Sequence, residues 1–321
     1  MSGQDRLLAG IELGGTKAIA LMARGRNVLA SARVPTTTPN ETLRAIGDRI
    51  EAWQREHGRA DALGIASFGP LGLDRSRPDY GHITSTPKPG WRQADLVRHF
   101  GDRFGLPIGF DTDVAGAALA EHRWGTARGC DVAIYMTVGT GVGGGVVVDG
   151  RPVHGLVHPE LGHLRVRRAT GDDFAGVCPF HGDCLEGLVS GPAIGARTGS
   201  DGASIEDDHP VWDRVTAELA EAMAMLLLTV SPRRIVIGGG VLQQRAPLRP
   251  VAQADRRIAR RLYRRIGRGR ARRHDRTART GRDGRPAGRH RAGAGCLPRQ
   301  ERCRDGDIAQ HLHIKISLYA G

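Results

Sequence analysis

A strand, a glycine-rich turn and a second strand occur once in each half of this 321-residue chain, and this recurrence constrains the fold more than any other feature. In LLAGIELGGTKAIALMA (residues 7–23) and DVAIYMTVGTGVGGGVVVDG (residues 131–150), apolar and β-branched runs flank turns in which glycine admits conformations closed to other residues. Two such pairings predict two related lobes facing one cleft, although their pairwise similarity is too low to establish a duplication.

The rest of the chain up to Val241 alternates in the α/β manner. Residues 26–34 read as a third strand and Glu41–His57 as a helix; ALGIASFGP (62–70) is a buried strand ending in a Gly-Pro loop. A polar excursion leads to a helix over residues 93–104. IGFDTDV (108–114) is a strand running into the Ala-rich helix 115–125, for which Thr112 or Asp113 serves as N-cap. In the second half GTGVGGG (139–145) reads as a turn, residues 146–153 as a strand, 211–230 as a long helix and 233–241 as a strand closing in three glycines. The boundaries expected are an N-terminal lobe over 1–115, a C-terminal lobe over 116–244 and a separate Arg-rich segment over 245–321.

That last segment carries the charge. It holds 22 Lys and Arg against 6 Asp and Glu, so in a chain of net charge +13 the remainder is slightly acidic. The motif-bearing part therefore offers no basic stripe for a nucleic-acid backbone, and at 4% aromatic content it offers few stacking platforms. With few branched apolar residues and no sustained period, the segment cannot bury enough surface to offset chain entropy, and disorder is expected. It reads either as an RNA-binding tail or as the product of a shifted reading frame. The second is preferred, because the body uses 2 lysines, Lys17 and Lys88, beside many arginines, as a GC-rich gene would. No apolar run approaches the length of a membrane helix and no signal-peptide pattern opens the chain, so a cytoplasmic location is expected.

Three glycine turns bear the features of phosphate loops, in which backbone N–H groups approach oxygens and a hydroxyl or ammonium adds a contact. The first has Gly14, Gly15, Thr16 and Lys17, following Glu12. The second has Thr137, Gly139, Thr140, Gly141 and Gly143, and the third has Gly238, Gly239 and Gly240. GTGVGG (139–144) also fits the dinucleotide-binding pattern, but that pattern must open a helix and here a strand follows. Asp113, at a strand end and a helix start, is the candidate base for a hydroxyl substrate. The competing reading makes it merely a helix cap, and Asp111 is close enough to be confused with it. His163, followed by Cys178-x-x-His181-x-x-Cys184, supplies two imidazoles and two thiols, a set suited to a closed, structural tetrahedral zinc. His158 is a competing ligand, and ordinary buried cysteines beside a surface histidine are the plain alternative. Glu160 and Glu186 flank the proposed metal and could be held by it toward a polyol.

The segments GIELGGTK, FDTDVAGAALAE, TVGTGVGGG, HPELGH, CPFHGDCLEGLVSGPA and RIVIGGGV, over residues 7–244, together resemble the ROK family of sugar kinases and repressors, most closely its zinc-containing fructokinases. The resemblance implies a two-lobed actin-like, ribonuclease H-like ATPase fold and MgATP-dependent phosphorylation of a hexose at its 6-hydroxyl, fructose being preferred. It implies Asp113 as catalytic base, sugar contacts from Asp113, Glu160, His163 and Glu186, and zinc on His163. Glu12, CPFH and ITSTPKPGW point to the fructokinase branch; Thr112 and Ala115, where many members carry Asn, depart from the family pattern. A glucokinase, or an inactive kinase-like protein with a basic tail, is the alternative. The repressor branch carries an N-terminal helix-turn-helix, whereas the first glycine motif here begins almost at once. A homodimer is an open alternative to a monomer.

Overall fold

The computed structural model describes residues 6–200 and 205–243; the Arg-rich segment, expected to be disordered or frame-shifted, lies outside the described residues. Five strands form the first sheet: β1 (Leu7–Leu13), β2 (Lys17–Arg24), β3 (Asn27–Pro35), β4 (Ala62–Ser67) and β5 (Ile108–Thr112), in the order β3-β2-β1-β4-β5. The first three strands meander antiparallel, β4 lies parallel to β1, and β5 lies parallel to β4. Along β1 buried residues alternate with more exposed ones, as the two-residue period of a strand requires. The second sheet, of β6 (Val132–Val138), β7 (Val142–Val148), β8 (Arg151–Pro152) and β9 (Arg234–Gly238), has the order β8-β7-β6-β9. There too an antiparallel hairpin comes first and a parallel strand, β9, pairs with its first member. The recurrence read in the sequence is thus a recurrence of topology.

Helices cover the sheets. Over the first, α1 (Pro39–His57) starts with a reciprocal capping box between Thr38 and Glu41 and a proline at its first position, which satisfies N–H groups that have no partner within the helix. Its apolar face, with Ile46 and Ile50, joins Leu13, Met22, Trp91 and Phe100 in one core. The helix α2 (Leu96–Phe104) begins later than its apolar spacing suggests. Asp95 caps it, and Gln93 has a positive φ of 62°, which is incompatible with a helix start at that residue. In the second half α4 (Leu185–Val189), α5 (Gly191–Thr198) and α6 (Val211–Thr229) pack on the sheet, around Met136, Leu185, Leu188, Leu219, Met223 and Ile237. A four-residue helix, α7 (Gly240–Gln243), follows β9. Among the described residues no helix is long and apolar enough to cross a membrane.

The helix α3 (Asp113–Trp124) joins the two halves and touches both sheets. A Cβ at Gly116 would lie 3.0 Å from the Ala66 side chain on β4, while one at Gly145 on β7 would collide with the Val114 carbonyl. This explains a difference from the sequence reading. The turn of the second hairpin is confined to residues 139–141, and Gly143, Gly144 and Gly145 belong to β7. Their missing side chains let the start of α3 and the residue Leu161 lie directly on the strand; a Cβ at Gly143 would sit 2.9 Å from Val114 and one at Gly144 2.7 Å from Leu161. The expected strand 146–153 is likewise divided, by a turn at Asp149 and Gly150, both with positive φ, as a two-residue hairpin loop requires.

Candidate active site

The strand β5 ends at Thr112 and α3 begins at Asp113, so the aspartate sits where a parallel strand hands over to a helix. The N-cap is Thr112, whose hydroxyl accepts from the Ala115 amide at 3.1 Å. Of the two residues proposed as cap, Asp113 is therefore the one left available; its carboxylate accepts from the adjacent Val114 amide at 2.8 Å. Removal of water raises its pKa to about 6. The Val114 hydrogen bond works against that shift, and the nearby charges of Glu12 and Glu160 add to it. Glu12 comes from β1 and Glu160 from the second half, so Asp113 lies where the two halves meet. Asp111 has a different engagement, with Oδ2 3.0 Å from Nε2 of His154.

The three glycine turns behave differently. In the first, the Gly14 amide donates to the Lys17 carbonyl at 3.0 Å and the Gly14 carbonyl accepts from the Thr36 hydroxyl at 2.8 Å, leaving Gly15, Thr16 and Lys17 exposed. In the second, Gly139 donates to the Gly141 carbonyl at 2.8 Å and accepts from the Gly191 amide at the start of α5 at 2.7 Å, with Thr140 exposed between. The third adjoins it: a Cβ at Gly139 would be 3.9 Å from the Gly240 amide, and Thr137 pairs with Gly238 across β6 and β9. Gly239 has a φ of 101° and its α-carbon faces the Val138 carbonyl, a position no other residue fills without strain. The second and third turns thus form one rim, with Gly240 and Thr140 open to solvent.

Glu160 precedes a 3₁₀ turn over Leu161–His163. Partial loss of water raises its pKa, with His163 opposing and Glu186 adding to the shift. Glu186 lies in α4, and its Oε2 accepts from the Val142 amide at 3.0 Å, next to the second glycine turn. That contact leaves no signal in the sequence, where 44 positions separate the partners.

His163, Cys178, His181 and Cys184 converge, their ligand atoms all within 4.8 Å of one another. Nδ1 of His163 is 3.4 Å from Sγ of Cys184 and 3.8 Å from Sγ of Cys178, which is 3.8 Å from Nδ1 of His181. Ligands around a tetrahedral zinc stand roughly 3.3–3.8 Å apart, so this donor set fits that ion in kind, and these three separations fall in that range. Residues 178–182 form a tight knuckle, with paired backbone bonds between Cys178 and Gly182. His158, the competing ligand, is engaged elsewhere: buried, it accepts from the Leu71 amide at 3.3 Å through Nε2.

The sequence profile described as the ROK family matches residues 8–274. The chain belongs to the ROK family. The match runs past residue 244, where the resemblance read from the motifs ends, into the Arg-rich segment. The fructokinase of Zymomonas mobilis is 45% identical over 269 residues, covering 81% of this chain and 88% of that protein. The fructokinase of Pediococcus pentosaceus is 45% identical over 240 residues, covering 74% and 82%. Among solved structures, the ROK hexokinase of Thermus thermophilus superposes with a TM-score of 0.66 at 29% identity, covering 79% of this chain and 89% of that one. As a ROK protein the chain has the two-lobed, actin-like ATPase fold, which accounts for its repeated sheet.

Proposed function

We propose that this ROK protein transfers the γ-phosphoryl group of ATP to the 6-hydroxyl of fructose. The observation that carries the reading is Asp113, a largely desolvated carboxylate spared from capping, set between charges from both halves of the molecule. A group with a pKa near 6 is ionised at neutral pH yet basic enough to receive a hydroxyl proton. The halves, 1–115 and 116–244, are the lobes that close on the substrates. The backbone of Gly14, Gly15, Gly139 and Gly141, the hydroxyls of Thr16, Thr137 and Thr140, and Lys17 hold the phosphates, with Glu12 beside them and Gly238, Gly239 and Gly240 letting the nucleotide approach. Glu160, His163 and Glu186 take the hydroxyls of the sugar. Magnesium enters with the nucleotide and neutralises phosphate charge.

Zinc on His163, Cys178, His181 and Cys184 is structural in this proposal: four protein ligands close the site and leave no position for substrate. Its role is to hold the carriers of Glu160 and Glu186 rigid. Fructose is preferred to glucose because relatives over 40% identical are fructokinases. A coupled assay of ADP release from the full chain with fructose, glucose and mannose tests the assignment. The expected result is turnover highest on fructose and lost in Asp113→Asn. Higher kcat/KM on glucose would move the assignment to a glucokinase, and undiminished turnover in Asp113→Asn would remove the base.

A further inference from the structure

His158 joins the two halves of the molecule beside Glu160, and no role given above uses it. Its side chain is only 6% exposed. On one edge of the ring, Nε2 accepts from the Leu71 amide at 3.3 Å. Leu71 follows the Gly69-Pro70 pair in the loop after β4 and bridges to Ile83. On the other edge, Nδ1 stands 3.3 Å from Oε1 of Glu160. Gly69 makes room for the ring, since a Cβ there would lie 3.2 Å from Nε2. An amide cannot donate to a nitrogen that already carries a proton, so the Leu71 contact fixes the tautomer. The lone pair is on Nε2 and the proton on Nδ1, on the edge shared by the Glu160 carboxylate and the Pro159 backbone carbonyl. Burial lowers the pKa of the ring, in keeping with a neutral imidazole there.

We propose that His158 is a positioning residue: by spanning the Leu71 amide and the Glu160 carboxylate, it sets the distance between the Gly-Pro loop of the first lobe and the sugar-side carboxylate of the second. The proposal rests on the reading of Glu160 as a sugar contact. Histidine suits the span because its two nitrogens lie on opposite edges of one rigid ring, one accepting and one donating. A second link runs beside it, from His154 to Asp111, so the segment 154–160 crosses between the halves as a strap anchored at two points.

Two near-isosteres separate the contacts. Glutamine at this position keeps an acceptor for Leu71 and lacks the donor toward Glu160, whereas asparagine keeps a donor near the place of Nδ1. In the full chain, His158→Gln is expected to raise the KM for fructose on the order of ten-fold while the KM for ATP changes less than about two-fold. His158→Asn recovers most of the fructose affinity, and His158→Gln adds little once Glu160→Gln is present. Should His158→Gln fail to fold, His158→Ala, which removes both contacts without adding bulk, must show the same split. A fructose KM unchanged in these variants, or fructose and ATP KM values rising together with a lowered thermal midpoint, overturns the positioning role. If Glu160→Gln itself leaves the fructose KM unchanged, the sugar-contact reading fails and the proposal falls with it. If Glu160→Gln raises that KM and His158→Gln does not, only the proposal fails.

Discussion

The Thr112 hydroxyl accepts a hydrogen bond from the Ala115 amide at 3.1 Å, so the helix carrying Asp113 is capped by its neighbour. Structure and chemistry at this helix start therefore belong to different side chains and can be removed separately. Thr112→Ala is expected to cost about 1 kcal/mol of stability, measured by denaturant unfolding, because it strips an N-cap. Asp113→Asn leaves the cap intact and is expected to lower kcat by about 100-fold or more, since a neutral amide cannot receive the proton.

Stability should move the other way in Asp113→Asn. The folded-state pKa of Asp113, about 6, lies above its ordinary value of 3.8, so the folded chain binds the proton more tightly than the unfolded chain. That contribution is present below the unfolded value, declines as pH rises between the two, and becomes a net penalty for the ionised form above pH 6. Replacing the carboxylate by an amide is thus expected to stabilise the chain at pH 7–8, on the order of 1 kcal/mol, and to make no such difference near pH 4. Urea midpoints at the two pH values decide it; an Asn variant less stable than wild type at pH 8 contradicts the burial argument.

The same shift predicts the acid limb of the reaction. In the free enzyme, kcat/KM should fall tenfold per pH unit once pH drops below about 6, as Asp113 takes up a proton. A limb near pH 4 would mean that a carboxylate with an ordinary environment does the work.

Metal removal should affect stability first. Chelation, or Cys178→Ser and Cys184→Ser, is expected to release about one zinc per chain and to lower the thermal midpoint, a shift of about 2–4 °C per kcal/mol lost for a domain of this size. Metal content by mass spectrometry and a melting curve read both. A chain that contains no zinc and melts identically with and without chelator would remove the structural metal.

Glu186 touches the second glycine hairpin through the Val142 amide. Glu186→Ala should therefore raise the KM values for both nucleotide and sugar, in contrast to the sugar-only effect expected of a residue that faces the hexose alone. The loss of a charge-assisted hydrogen bond sets the scale at roughly ten-fold or more.

Much of this molecule was legible in one dimension. Each strand of the two hairpins could be read because alternation and β-branching are local properties, and the Cys178, His181 and Cys184 spacing was readable because one short knuckle carries it. The extent of the second glycine turn was not. Seven residues, 139–145, look alike as a string, yet three are turn and four are strand, and the difference is made by Val114 and Leu161 pressing on Gly143, Gly144 and Gly145. The histidines divided in the same way. His163 was placed with the cysteines by spacing, while the separation of His158 from them depends on an amide 87 positions earlier.

The sequence by itself determined the α/β class, the doubled strand–turn–strand unit, the family and the residue types gathered at the site, because these follow from periodicity, glycine chemistry and motif order along the chain. Only the tertiary structure decided that Thr112 caps and Asp113 does not, that Glu186 holds a hairpin, and that His158 bridges the halves. Each of those is a hydrogen bond whose partner is chosen by distance in space, and a carboxylate or imidazole has the same formula whichever amide it meets.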